Sequence, residues 1–295
     1  MISAAGRRTL DRYALAAREM SASSGDRSAR EAGSSVEFHD FRPYQPGDEL
    51  RAVDWRAYAR TRRVVTRLYR AERTIDVHVV LDVSASMGLA GKLDYARTVA
   101  ELVSYVGQRD ALTRVHTTAG VASPAAQGRI GLARAWDLLD AAEPLAGVPG
   151  PVEGVRAFAL GLPRVRGAAL AVVVSDLLDP LPWRPALVAL RARGLDAAFL
   201  QVLSDDDLSP PEGRFEVVDV ETEERRIVGP EEVRAYRQAV QAFLRRTRAA
   251  LGQAAVTHVL LRVPRAGVAP RGEVDVAAER AALAALRRAQ VLVPR

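Results

Sequence analysis

The sequence predicts a doubly wound α/β fold with a mostly parallel sheet, an N-terminal extension and an edge hairpin. Three observations carry that prediction. The apolar runs Ile75–Leu81, Ala168–Val174 and Ala197–Leu203 are continuous rather than alternating, as in strands covered on both faces. Segments with apolar residues at helical spacing separate them, so strand and helix alternate along the chain. Two of the runs end in a carboxylate, Asp82 and Asp176, and open α/β sheets bind ligands at the C-terminal ends of their strands.

The 295 residues, 48% of them hydrophobic, suffice for a full-sized core. There is no cysteine, which excludes disulfides, zinc–thiolate sites and thiol nucleophiles. No apolar stretch approaches the roughly 18 residues of a membrane span, and the opening MISAAGRRTLDRY lacks the apolar core of a signal peptide. A soluble, cytoplasmic chain without a membrane span is therefore expected. The net charge of +6 invites a nucleic-acid reading, yet Lys92 is the only lysine among 42 basic residues. Acidic residues are interspersed with the arginines, and no basic run carries interleaved aromatics. No nucleic-acid partner is expected, and an arginine-rich nucleic-acid binder stays as an alternative.

In chain order, four regions follow. Residues 1–35 hold a short amphipathic helix over RRTLDRYALAAREM, with Leu10, Ala14 and Ala17 on one face, and then a small polar linker from residue 21. Residues 36–74 form a lead segment rich in aromatics and charge. It has a turn at Pro46-Gly47-Asp48, a strand at Val64–Tyr69, and a network of Arg42, Asp48, Arg51, Asp54 and Arg60 under Trp55 and Tyr58. This lead is expected to clasp the main domain, residues 75–263. There the strand Ile75–Leu81 leads to a helix over Lys92–Gly107, a strand over Ala111–Thr118 and a neighbouring strand reaching Ile130. A helix marked by Leu132, Trp136 and Leu139 comes next, then a loop at Gly147–Gly154 and a helix at Val155–Leu162. The strand Ala168–Val174, the helix Pro185–Arg193 and the strand Ala197–Leu203 follow, and Asp205–Asp207 read as a solvated loop. Phe215–Val220 and Arg225–Val228 make a hairpin on the sheet edge. Pro230 opens a long helix with acids in its first turn and Gly252 as its stop, before a last strand at Ala255–Val263. In the C-terminal tail, residues 264–295, Asp275 caps a helix running through Leu286.

The chemistry concentrates in TIDVHVVLDVSASMGLAG, Thr74–Gly91. A buried strand ends at Asp82, and Ser84 and Ser86 alternate on the turn that follows, so both hydroxyls can point to one side. One carboxylate and two hydroxyls, with neither thiol nor imidazole, suit a hard divalent cation. The same residues could instead cap the following helix. Enzyme motifs are missing. Gly88-Leu89-Ala90-Gly91-Lys92 lacks the first glycine of a phosphate loop and carries Leu93 where a hydroxyl is needed. Ser84 stands where a phosphotransfer site wants a second carboxylate. No G-x-S-x-G or H-E-x-x-H occurs, and His39, His78, His116 and His258 are scattered.

Two stretches carry a resemblance. DVSASM, Asp82–Met87, resembles the Asp-x-Ser-x-Ser signature of von Willebrand factor type A domains, whose metal-ion-dependent adhesion site binds Mg²⁺ or Mn²⁺. EFHDFRPYQPGDELRAVDWRAYARTRRVVTRLYRAER, Glu37–Arg73, is similar to the hallmark of the bacterial "domain of unknown function 58" family, as are the Lys-Leu-Asp-Tyr-Ala stretch at Lys92–Ala96 and the strand end Ser175-Asp176. The resemblance covers roughly residues 30–262 and implies a von Willebrand A-like, Rossmann-type domain. It implies metal ligands Asp82, Ser84, Ser86 and Asp176 with Mg²⁺ or Mn²⁺ as cofactor. The adhesion site's separate threonine has no match at Pro151–Gly154, where Glu153 or water would have to stand in, and Thr117 and Thr118 fall on an earlier strand. The resemblance also implies a non-enzymatic role in protein–protein interaction, working with a MoxR-type AAA+ ATPase in assembling or activating other proteins. A metal-dependent hydrolase centred on Asp82 and Asp176 is the enzymatic alternative.

Overall fold

The computed structural model describes residues 2–16, 36–46, 52–71, 75–125, 127–165, 168–220, 223–265 and 273–295. Contacts divide the chain into two units, Met1–Arg18 with Ile75–Arg295, and Glu19–Thr74.

In the larger unit five strands lie parallel among the described residues: β4 (Ile75–Leu81), β5 (Ala111–Thr117), β6 (Ala169–Ser175), β7 (Asp196–Leu203) and β10 (Thr257–Arg262). Their spatial order is β10-β7-β6-β4-β5. The three central strands, β7, β6 and β4, place apolar side chains in both core clusters. Val77, Val79 and Leu81 of β4 join one core cluster, while Val80 joins the other. The first cluster is closed by α3 (Lys92–Asp110), α4 (Gly128–Ala141) and α9 (Val276–Arg288), the second by α5 (Pro151–Gly161), α6 (Arg184–Ala192) and Leu251 near the end of α8 (Pro230–Gln253). Helices on both faces of a parallel sheet make this a doubly wound α/β fold. The chain moves outward from β4 to β5, then returns to β6 on the other side of β4 and continues to β7 and β10. Strand order therefore reverses between β4 and β6, the strands that deliver Asp82 and Asp176.

Both termini belong to this unit. The expected helix over residues 7–20 is shorter and starts earlier: α1 spans Ala4–Leu10, and β1 (Tyr13–Leu15) follows, paired antiparallel with β11 (Leu292–Pro294). Burying Leu10 in the core and pairing β1 with the C-terminus outweigh the local helical pattern. Ser3 is held to Glu279 of α9, its backbone N–H and its hydroxyl each 2.8 Å from a carboxylate oxygen. Asp275 caps α9 as expected, accepting from the Ala278 N–H at 2.8 Å.

Three other expectations are corrected. Ile130 lies in α4 rather than on a strand, and only an isolated bridge, His116 with Ala122, follows β5. The loop expected through Gly154 ends sooner, because Pro151 opens α5 at the first helical position. The hairpin of β8 (Phe215–Val218) and β9 (Arg225–Val228) is a two-stranded sheet of its own, not an extension of the parallel sheet. Its strands are short and mostly exposed, so it has no apolar face to lay against an edge.

In the smaller unit β2 (Val36–Pro43) and β3 (Val65–Ala71) pair antiparallel, with α2 (Trp55–Thr61) between them. Of the charge network expected here, Asp54 caps α2 by accepting from the N–H groups of Arg56 and Ala57. Trp55 and Tyr58 meet edge to face at 6.3 Å. The linker at 21–35, the turn at Gly47-Asp48 and Arg51 lie outside the described residues.

Candidate metal and docking site

At the switch point the backbone delivers the two aspartates side by side. The Asp82 N–H donates to the Val174 carbonyl at 2.9 Å, which extends the β4–β6 register by one residue beyond the strands. Asp82 and Asp176 are both fully buried. A 3-10 turn, Ala85–Gly88, follows Ser84 and turns Ser86 back toward β6.

The groups form two connected halves. Around Asp82, the Ser84 N–H and the Thr118 hydroxyl donate to Oδ1 at 3.0 and 3.2 Å, and the Ser175 hydroxyl donates to Oδ2 at 2.6 Å. Thr118 in turn accepts from the Val83 N–H at 3.1 Å, and Ser175 from the Leu177 N–H at 2.9 Å. Around Asp176, Oδ2 accepts from the Ser86 hydroxyl and from the Lys92 ammonium, each at 2.9 Å, and Oδ1 accepts from the Leu178 N–H at 3.0 Å. The Ser84 and Ser86 hydroxyls, 3.2 Å apart, join the halves. Leu177, between the two loops' anchors, sits at φ 57°, a left-handed conformation uncommon for leucine.

All four residues singled out from the sequence thus come together. Sequence reasoning missed Thr118, Ser175, Lys92 and Asp207. Thr118 was dismissed for lying on the wrong strand, but β5 is the direct neighbour of β4, and Gly154 leaves it room: a Cβ there would stand 2.6 Å from the Thr118 Cβ. Glu153 is not a stand-in; it pairs with Arg156 at 2.9 Å on the surface of α5. The start of α5 is tied instead by Asp179, which accepts from the Val152 N–H at 2.9 Å. Asp205–Asp207 are no solvated loop. They form the short helix α7 (Asp205–Leu208), in which Asp207 accepts from the backbone and hydroxyl of Ser204 and lies 3.3 Å from Lys92. The available signal was Lys92 itself, one lysine in an arginine-rich chain, next to the metal-like loop.

Burial, and then the nearby charge of Asp176, push the Asp82 carboxyl above its ordinary range, against the opposing pull of its hydrogen bonds to Ser175 and Ser84. An ionised Asp82 is therefore short of positive charge. Oxygens of adjacent ligands on an octahedral magnesium ion stand about 3.0 Å apart, given Mg–O distances near 2.1 Å. The Ser84–Ser86 and Ser86–Asp176 separations, 3.2 and 2.9 Å, fit that spacing. The donors are hydroxyls and carboxylates rather than a carboxylate and imidazole cage; among the described residues no group of three His, Cys, Asp or Glu could hold a metal. The donor chemistry suits a hard divalent cation, with Ser84, Ser86 and Asp176 as candidate contacts and Asp82 bonded to the Ser84 N–H beside them.

His78 and His116 form a pair of their own, while His258 bonds Gln201, whose amide donates to the Asp176 carbonyl at 2.9 Å. His78 and His116 touch each other at 3.1 Å and pack on Phe158. Burial lowers them to about 4 and about 3, so both are neutral. A cleft of about 1110 Å³, lined by Arg7, Gln108, Arg129 and Trp136 among others, includes no residue of the cluster. The loops around the cluster carry exposed apolar side chains: Leu89, Val121, Leu145 and Leu181 are 46%, 56%, 43% and 47% exposed. Leu145 is held there by its N–H, which donates to the Val83 carbonyl at 2.8 Å, and Leu181 by its N–H on Asp179 at 2.8 Å. No helix among the described residues is long and apolar enough to cross a membrane.

The chain is similar to uncharacterized proteins of Mycobacterium tuberculosis and Mycobacterium bovis, 29% identical over 198 residues, which is 64% of this chain. The match spans 61% of the length of those relatives. Among solved structures, an aerotolerance-related membrane protein from Bacteroides fragilis aligns at 17% identity and a TM-score of 0.44, over 73% of this chain and 98% of that one. The conserved hypothetical protein BatB from Bacteroides thetaiotaomicron aligns at 13% identity and a TM-score of 0.40, with the same coverage, 73% and 98%. Likenesses this distant carry no argument about the site. The family model described as "Protein of unknown function DUF58" matches residues 40–250, well over half of the sequence, and the chain belongs to that family.

Proposed function

We propose that this chain is a non-enzymatic protein-interaction module, a von Willebrand factor A-like domain that docks a protein partner through a divalent cation. The observation that carries the reading is the run of oxygens from Ser84 through Ser86 to Asp176 at the sheet's switch point, at the spacing of neighbouring metal ligands. Mg²⁺ or Mn²⁺ held there by two neutral hydroxyls and one direct carboxylate keeps net positive charge and free coordination positions. A carboxylate from a partner completes it, and Leu89, Val121, Leu145 and Leu181 supply apolar contact around it. Among the described residues, His78 and His116 bond to each other, and His258 reaches the Asp176 carbonyl only through Gln201. The partner class is a MoxR-type AAA+ ATPase or its client, in the cytoplasm.

Affinity capture from the native cell, run in Mg²⁺ and again in EDTA, tests this. An AAA+ ATPase retained in Mg²⁺, lost on chelation and lost with Asp82→Ala is the expected result. Retention unchanged by both treatments overturns the metal-assisted reading, and turnover of phosphate esters abolished by Asp82→Ala would replace it with the hydrolase.

A further inference from the structure

Lys92 is the first residue of α3, where a positive charge opposes the helix dipole. It is also among the largest fully buried side chains, 1% exposed, and the only lysine in a chain whose other basic residues are all arginine. A residue that is costly by both local rules is held for another reason. Its ammonium lies 2.9 Å from Asp176 Oδ2, the oxygen that also receives Ser86, and 3.3 Å from Asp207 Oδ1. A compact point charge fits between two carboxylates where the planar fork of arginine would not.

We propose that Lys92 is a tethered cation of the site: its ammonium neutralises Asp176 when no metal is bound and competes with the divalent ion for that carboxylate. This rests on the reading of the cluster as a cation site and deepens it into a control on affinity. The competition is electrostatic and steric together. A divalent ion held by Asp176 Oδ2 would lie close to the Lys92 ammonium, which is 2.9 Å from the same oxygen, and two such charges would repel strongly in a buried site. The ion enters only by sharing Asp176 with Lys92 or by moving Lys92 wholly onto Asp207, whose other oxygen holds the Ser204 cap. The resulting site binds its metal weakly and reversibly, which suits docking that must release.

Titration calorimetry with Mn²⁺ on the full chain, comparing the natural protein with Lys92→Met and Lys92→Gln, tests the proposal. Glutamine keeps a donor for Asp176 without the charge, so it remains informative if methionine does not fold. The expected result is Mn²⁺ binding about tenfold or more tighter in the variants. Binding by the variants but not by the natural chain also supports the tethered cation, while removing metal-dependent docking from the natural protein. Binding by the natural chain with equal or tighter affinity than the variants overturns the tethered cation and leaves the docking reading standing. No binding by any of the three overturns both.

Discussion

Asp82 and Asp176 occupy equivalent places, one residue past the ends of two adjacent parallel strands, and both are fully buried. The protein treats them oppositely. Asp82 is surrounded by neutral donors: the hydroxyls of Thr118 and Ser175 and the N–H of Ser84. Asp176 has the Lys92 ammonium in direct contact. Hydrogen bonds from neutral groups offset part of the cost of burying a charge, whereas a paired ion removes the charge itself. One half of the site is thus left electrostatically hungry and the other already fed. In the proposed cation site the first would attract an ion, and the second would set how firmly it is held.

The largest expected effect separates the halves directly. Lys92→Met leaves Asp176 as a buried charge without its counter-ion, and should cost about 3–5 kcal/mol in the ion-free protein, read by chemical denaturation. Adding Asp176→Asn to that variant should recover most of the loss, because the unpaired charge goes with it. Adding Asp82→Asn instead should recover far less. Equal recovery from the two aspartates would mean that Lys92 serves both alike, and the contrast would be lost.

A pH titration reaches the same contrast from strand β4, which carries His78 and leads into Asp82. The histidines are held neutral by burial, at about 4 and about 3 against an ordinary 6.5. Between these values the unfolded chain takes up protons that the folded chain refuses, so stability falls as pH falls from 6.5, by about 1.4 kcal/mol per pH unit for each histidine. Asp82 works with the opposite sign. Its carboxyl is raised in the folded state, so its contribution is present in full below the ordinary 3.8 and is lost as pH rises through the folded value. Replacing both His78 and His116 by glutamine should flatten the acid limb and expose this reversed slope. A limb unchanged in the double variant would show that the histidines are not its source.

Legibility in the sequence followed the range of the interactions. The strands of the parallel sheet were readable because apolar runs such as Ala168–Val174 need no partner to be recognised. The pairing of β1 with β11 was not, since it joins the two ends of the chain and overrides a local helical pattern at Ala14. The same holds in the site. Asp82, Ser84 and Ser86 lie on one turn and announce themselves, while Asp176 was found as a carboxylate at a strand end. Thr118 and Asp207 depend on which strands are neighbours and on which way a short helix turns, and only tertiary structure supplies that. Lys92 was visible as an anomaly of composition, but its meaning required the two carboxylates on either side of it.

The smallest expected effect is the most discriminating, because it applies one substitution to both aspartates. In Asp82→Asn the amide carbonyl can take the place of Oδ1 and keep its bonds from Ser84 and Thr118. The amide N–H group then faces Ser175, whose oxygen has one lone pair beyond that used by Leu177, so this bond reverses rather than disappears. What is removed is a carboxyl whose charged form burial disfavours. The ion-free protein should gain about 1 kcal/mol, roughly 1.5–2 °C in melting temperature for a chain of this size, and should lose any further gain on adding Mn²⁺. Asp176→Asn in the natural chain should do the reverse, since it strips Lys92 of its closest partner and leaves a buried ammonium leaning on Asp207 alone. Stabilisation at one strand end and destabilisation at its neighbour is the signature of a site with one resident cation and a place for a second. Destabilisation at both would make Asp82 an ordinary structural cap.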